Sequence, residues 1–199
     1  MIESPDIKTT FTLSQPWELF PKDTIAIEQF EKNVLPPYVI SCRWFAGKAR
    51  KIAKVCVDSV LTISGDQKTF HLLIIKTKYR TGKLEQYLLP VSLVAADPRV
   101  EINPKGIIAF SKTGDREMMV IDAIYDESFQ RLLFQNLFHS SKVKQSNGSL
   151  FFARGKAFKE EDFSPDISSR VLNVEQSNSS IVYGEKYFLK IYRKLFRET

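Results

Sequence analysis

From Val55 to Ile121 the apolar period changes to two, in short strand-sized runs broken by turn residues, a pattern that suits pleated strands better than helices. Val55, Val57 and Leu61 mark one run and Phe70–Tyr79 a second. Gln86–Leu89, Gly106–Phe110 and Glu117–Ile121 follow. Arg80-Thr81-Gly82-Lys83 has the length and the glycine of a hairpin turn, and Lys112–Asp115 is a second glycine turn. The expectation is an antiparallel meander. Helices flank it. Asp23 can cap a helix in which Ile27, Phe30 and Val34 recur at helical spacing. Pro36-Pro37 is expected to end that helix, since proline lacks the next donor and restricts the residue before it. Asp126 opens another helix, with Phe129, Leu132, Leu133 and Leu137 on one side and Asp126 and Glu127 at the positive end of its dipole. Residues 1–22, rich in Thr, Ser and Pro, read as an extended leader docking through Phe11, Leu13, Trp17 and Phe20. The class is therefore α+β, with a curved, mostly antiparallel sheet and flanking helices.

Composition removes several alternatives. At 43% hydrophobic and 26% charged residues in a chain of 199, the balance is globular and excludes collagen, coiled coil and a disordered tail as the main character. No apolar run approaches the roughly 18–20 residues that a membrane helix needs. The start Met1–Asp6 is acidic and lacks the apolar centre of a secretory signal. Cys42 and Cys56 are too few for a disulfide framework, and neither has an adjacent His to make it a nucleophile, so a reducing, cytoplasmic setting is expected. His71 and His139 have no metal-ligand neighbour at helix or strand spacing, so no metal site is expected. A net charge of +6 permits an anionic partner without requiring one.

One basic run, Arg43, Lys48, Arg50, Lys51 and Lys54, is interleaved with Trp44 and Phe45. Such a mixture can hold phosphates and stack bases. It can equally anchor a helix–sheet junction through its rings while the charges face water. Asp58, Glu85, Asp97 and Glu101 dilute any basic stripe, so nucleic acid is not the expected partner. Gly47 lets backbone pack closely beside Trp44. Asp122, Asp126 and Glu127 read as capping carboxylates, not as an acid/base pair.

Chemistry is best placed in the tail. Ser169–Val174, Ser180–Tyr183 and Tyr187–Tyr192 read as strands, the last two joined by the turn Gly184-Glu185-Lys186. Glu175–Ser180 lies between the first two. Its small residues let backbone N–H groups and hydroxyls approach phosphate oxygens. Lys190 stands alone in an apolar strand, which is costly unless its ammonium leaves the core or finds an anion. A covering loop followed by a lysine-bearing strand is the nucleotide-binding layout of protein-kinase-like folds. The loop has no glycine, however, and an ordinary polar hairpin with a snorkelling lysine fits the same residues. Upstream, Gln145–Ser149 nearly repeats Gln176–Ser180 but no lysine strand pair follows it. Ser140–Ser149 is read as a plain loop, Leu150–Ala153 as a strand and Lys156–Pro165 as a charged linker.

The run Glu175-Gln176-Ser177-Asn178-Ser179-Ser180-Ile181-Val182-Tyr183-Gly184, then Leu189-Lys190 and Arg193, closely resembles the N-lobe signature of bacterial maltokinases. Leu35-Pro36 with Arg43-Trp44-Phe45-Ala46-Gly47-Lys48 resembles the opening of that family's N-terminal cap, and Tyr87-Leu88-Leu89-Pro90 also fits. The resemblance runs from about Asp23 to the C-terminus and leaves the leader uncovered. It implies a leader at 1–22, a cap at 23–125 and a partial kinase-like N-lobe at 126–199. Such proteins transfer the γ-phosphate of ATP, with Mg²⁺, to maltose. The maltose 1-phosphate formed is a precursor of glycogen-like glucan, and in many bacteria the kinase is fused to trehalose synthase. Residue by residue, Gln176, Ser177, Asn178, Ser179 and Ser180 match the phosphate-covering loop, with Ser179 where the family usually has Thr. Lys190 matches the lysine that contacts the ATP phosphates. The pairing helix, the catalytic aspartate and the metal-binding aspartate have no counterpart before Thr199, so the fragment by itself is expected to be inactive and to lack metal ligands. The alternatives are a non-catalytic interaction cap beside a synthase domain and a basic nucleic-acid-binding module.

Overall fold

A computed structural model describes residues 9–196 apart from 66–67, 98, 100–101, 114–115, 147, 157 and 173–176. Strand β1 (Thr10–Thr12) precedes a 3₁₀ turn at Trp17–Lys22 and helices α1 (Thr24–Gln29) and α2 (Leu35–Ser41). The alternating region then forms β2 (Ile52–Gly65), β3 (Lys68–Tyr79), β4 (Glu85–Ala95), β5 (Ile107–Thr113) and β6 (Arg116–Asp122). Helix α3 (Glu127–His139) and strands β7 (Lys142–Gln145), β8 (Gly148–Phe151), β9 (Ser169–Leu172), β10 (Asn178–Tyr183), β11 (Tyr187–Tyr192) and β12 (Lys194–Leu195) complete the order. The class is α+β, with a curved, mostly antiparallel sheet, as expected.

The main sheet has seven strands in the order β1-β5-β6-β4-β3-β2, with β12 also on β4. β2, β3 and β4 follow one another as antiparallel neighbours. The expected meander fails at the next step. β6, not β5, lies against β4, pairing Val91–Ala95 with Met118–Asp122, and β5 sits outside it. The connection through 96–106 is long enough to skip a place, and alternation alone does not set neighbour order. β1 adds to β5 in parallel, so part of the leader is a sheet strand. Register shifts in β2 at Ile52/Lys54 and Val57/Ser59 bend the sheet.

Both faces of this sheet are covered, which is why Phe70, His71, Leu72 and Leu73 are all buried in succession. On one face, Leu73 and Ile75 meet Phe20, Phe30, Val34 and Tyr38. On the other, Phe70 and Leu72 meet Phe129 and Phe134 of α3. The leader docks through its aromatics as expected. Trp17 donates from Nε1 to the Thr69 carbonyl at 2.9 Å and stacks on Phe20. His71 bonds the Trp17 carbonyl through Nε2 (2.8 Å) and Thr62 through Nδ1 (2.9 Å), and burial lowers its pKa.

Two local expectations are corrected. Pro36-Pro37 does not end the first helix. At Phe30–Val34 the backbone widens into a π turn, with Leu35 N–H donating to the Phe30 carbonyl, and the prolines fall in the first turn of α2, where no donor is needed. The helical run therefore reaches Ser41. Ser140–Ser149 is not a plain loop either. β7 and β8 pair as a hairpin whose Val143 and Leu150 pack on the second core, and the Gln145 side chain bonds the Thr62 backbone at both its N–H and its carbonyl. The charged stretch 156–165 is anchored at Phe158, stacked on Tyr187 at 4.2 Å, and at Phe163, 4.4 Å from Phe138.

Candidate functional site

β9, β10 and β11 form a separate three-stranded sheet in the order β11-β10-β9. Tyr183 ties it down by donating from its hydroxyl to the Gln130 carbonyl of α3 at 2.8 Å. Ile181, Leu189 and Ile191 pack with it on the second core. Gly184 (φ 50°) and Glu185 (φ 56°) turn the chain between β10 and β11, and a Cβ at 184 would lie 3.2 Å from Ile167. Along β11 burial alternates, with Phe188, Lys190 and Tyr192 exposed and the residues between them half-buried. Lys190 thus leaves the core, its ammonium 5.9 Å from the Tyr192 ring centre.

Register decides which of the sequence-predicted residues meet. Ser180 stands directly across from Lys190, and Asn178 across from Tyr192. Opposed residues share a face, so Asn178, Ser180 and Lys190 are on one side of the sheet and Ser179 on the other. β10 begins at Asn178, two residues before the expected start, so Asn178, Ser179 and Ser180 are strand residues rather than loop residues. Ser177 is exposed at the bend and accepts from Asn178 Nδ2 at 3.2 Å. Gln176 lies outside the described residues. Ser180 is fully buried, and its hydroxyl has no hydrogen-bond partner among the described residues. Ser179 accepts from Arg193 Nε at 2.8 Å.

Arg193 had no assigned role in the sequence. It is the largest fully buried side chain among the described residues. Its Nη2 meets Asp122 Oδ2 at 2.6 Å, its Nη1 donates to the Leu88 carbonyl at 3.3 Å, and its guanidinium lies 5.2 Å from the Trp44 ring centre. Its own carbonyl accepts from Leu88 N at 2.7 Å. Asp122 does cap Ile124 N, as expected, and also accepts from the Tyr38 hydroxyl at 3.4 Å. Burial raises the Asp122 carboxyl above the ordinary carboxylate value, and the facing guanidinium opposes that rise. Asp126 caps Ser128 N as expected and also holds Ser92 and Lys68.

Next to this pair, Glu85 gathers the Tyr79 and Tyr87 hydroxyls at 2.6 Å each, Arg50 Nη2 at 2.5 Å and the Lys194 ammonium. Burial alone would raise its carboxyl, but these donors outweigh it and hold the pKa at about 2. Arg50 also lies over the Tyr79 ring, 3.6 Å from its centre. Trp44 and Phe45 are buried against Tyr87, so neither ring offers a face to a base. Burial pushes the Cys42 thiol up to about 12, far from a reactive thiolate. Among the described residues no three His, Cys, Asp or Glu gather as a metal site. No helix there is long and apolar enough to cross a membrane.

Residues 38–126 match the family model of the maltokinase N-terminal cap domain. The match begins at Tyr38, includes Trp44, Glu85 and Asp122, and ends at Asp126, where α3 is capped.

Proposed function

We propose that this chain, whose residues 38–126 match the maltokinase N-terminal cap domain, couples that cap to the phosphate-gripping strands of a maltokinase-like phosphotransferase acting on ATP and maltose. One observation carries the reading. A buried serine hydroxyl, Ser180, with no hydrogen-bond partner among the described residues, stands directly across from an exposed lysine, Lys190. A buried hydroxyl left unpaired costs about 1–3 kcal/mol, and a ligand oxygen removes that cost. The ammonium beside it supplies the countercharge that a phosphate needs. Phosphoryl transfer depends mostly on positioning and charge neutralisation. In this reading Lys190 neutralises the bound phosphates, Ser180 donates one hydrogen bond, and Asn178 is on the same face of the sheet. Ser179 faces away and serves the framework.

The test is titration of the chain with ATP. Lys190→Ala, at an exposed site, leaves the melting temperature unchanged and weakens ATP binding at least tenfold, while Ser180→Ala weakens it less. Equal affinity in the lysine variant removes the role given to Lys190, and no ATP binding by the unaltered chain removes the reading. Formation of maltose 1-phosphate by the protein expressed from its own gene reads the sugar half.

A further inference from the structure

Arg193 hydrogen-bonds the three-stranded sheet to the cap sheet. β11 ends at Tyr192, and Arg193 then pairs its carbonyl with Leu88 N on the edge of β4. Its guanidinium spends each kind of donor on a different element: Nε on Ser179 of β10, Nη1 on the Leu88 carbonyl, and Nη2 on Asp122 at the end of β6. Trp44, from the segment between α2 and β2, lies over it. A planar fork with fixed donor directions permits little freedom to the strands it joins. Since Ser179 is opposite Ile191, next to Lys190, the same fork fixes both strands of the candidate phosphate site from behind.

We infer that Arg193 is a positioning residue: anchored in the cap by Asp122, Leu88 and Trp44, it sets where β10 and β11 present Ser180 and Lys190. The cap then acts on nucleotide binding without touching nucleotide. This inference rests on the phosphate reading above, but its mechanical part does not. A buried ion pair can often be exchanged for well-packed apolar residues without loss of stability, which separates a merely structural role from a directional one.

The full-length chain carrying Arg193→Met together with Asp122→Leu is the informative variant. It should melt within a few degrees of the unaltered chain, bind ATP at least tenfold more weakly, and show at least tenfold faster amide exchange across 178–192, with β2 and β3 unchanged. Arg193→Lys keeps the charge but loses the fork, and should move both readouts in the same direction. It also decides the matter if the double variant does not fold. Unchanged ATP affinity and unchanged exchange across 178–192 would overturn the inference. If the unaltered chain binds no ATP, the phosphate reading fails, and the exchange measurement alone decides whether Arg193 fixes the strands.

Discussion

Arg193 and Lys194 are consecutive, and each meets a cap carboxylate, yet the two pairs obey different physics. Arg193 and Asp122 have side chains 0% and 1% exposed. Lys194 and Glu85 are 28% and 12% exposed. Full burial removes water from both members of the first pair, so each charge depends wholly on the other and on fixed donors. The second pair keeps some solvent, and its strength lies in how many donors converge on one carboxylate. A buried pair dictates geometry, whereas a half-buried hub makes stability respond to pH.

Four changes sharpen or break that contrast. Asp122→Asn should be the most damaging, by about 3–5 kcal/mol in thermal or denaturant unfolding, because it strands a buried guanidinium. If it costs less than about 1 kcal/mol, the pair is not the rigid element described. Gly47→Ala attacks the hub from behind. A Cβ there would lie 2.0 Å from the Tyr79 hydroxyl and 2.6 Å from Phe45, so the tyrosine must leave Glu85, at a cost of about 1–3 kcal/mol. Glu85→Gln should lose about 1–2 kcal/mol at neutral pH, from weaker hydrogen bonds to the remaining donors. Its pH profile is the sharper readout. The Glu85 pKa is lower in the folded chain (about 2) than its ordinary value of 4.5, so its contribution is whole above pH 4.5 and is lost as pH falls toward 2. The gap between the unaltered chain and the variant should therefore close over that window, and a gap independent of pH would contradict the hub. Lys194→Ala should cost least, under about 1 kcal/mol, since part of the ammonium is in water and Arg50 and two tyrosines still serve Glu85.

The sequence showed strands more readily than their neighbours. Short apolar runs broken by turn residues identified β2 to β6, although in β3, where both faces are covered, the run is continuous. They said nothing about β6 taking the place beside β4, a choice made by pairing across a long connection. Pro36-Pro37 looked like a stop because the rule against proline in helices assumes an unbroken ladder. A wider turn just upstream moved both prolines to positions where the missing donor is harmless. At the candidate site, Lys190 was legible as a cation in an apolar strand. The division of Ser179 from Ser180 was not, because it depends on where β10 begins, and a one-residue shift exchanges the faces. Arg193 was legible only as a member of the signature run, without a role, since nothing near it in the chain distinguishes a buried arginine from a surface one. Its partners, Asp122 and Leu88, are far away in sequence.

One of the two outer strands of the main sheet, β2, would ordinarily present bare amides and carbonyls to any extended segment that came near. Here Gln145 fills one such place with a side-chain amide that offers the same donor and acceptor as a peptide group, and Glu31 accepts from the Val57 amide at another. Two side chains thus imitate an absent neighbour. An incoming backbone finds those positions taken, and the sheet stops growing at β2 without a further strand to close it.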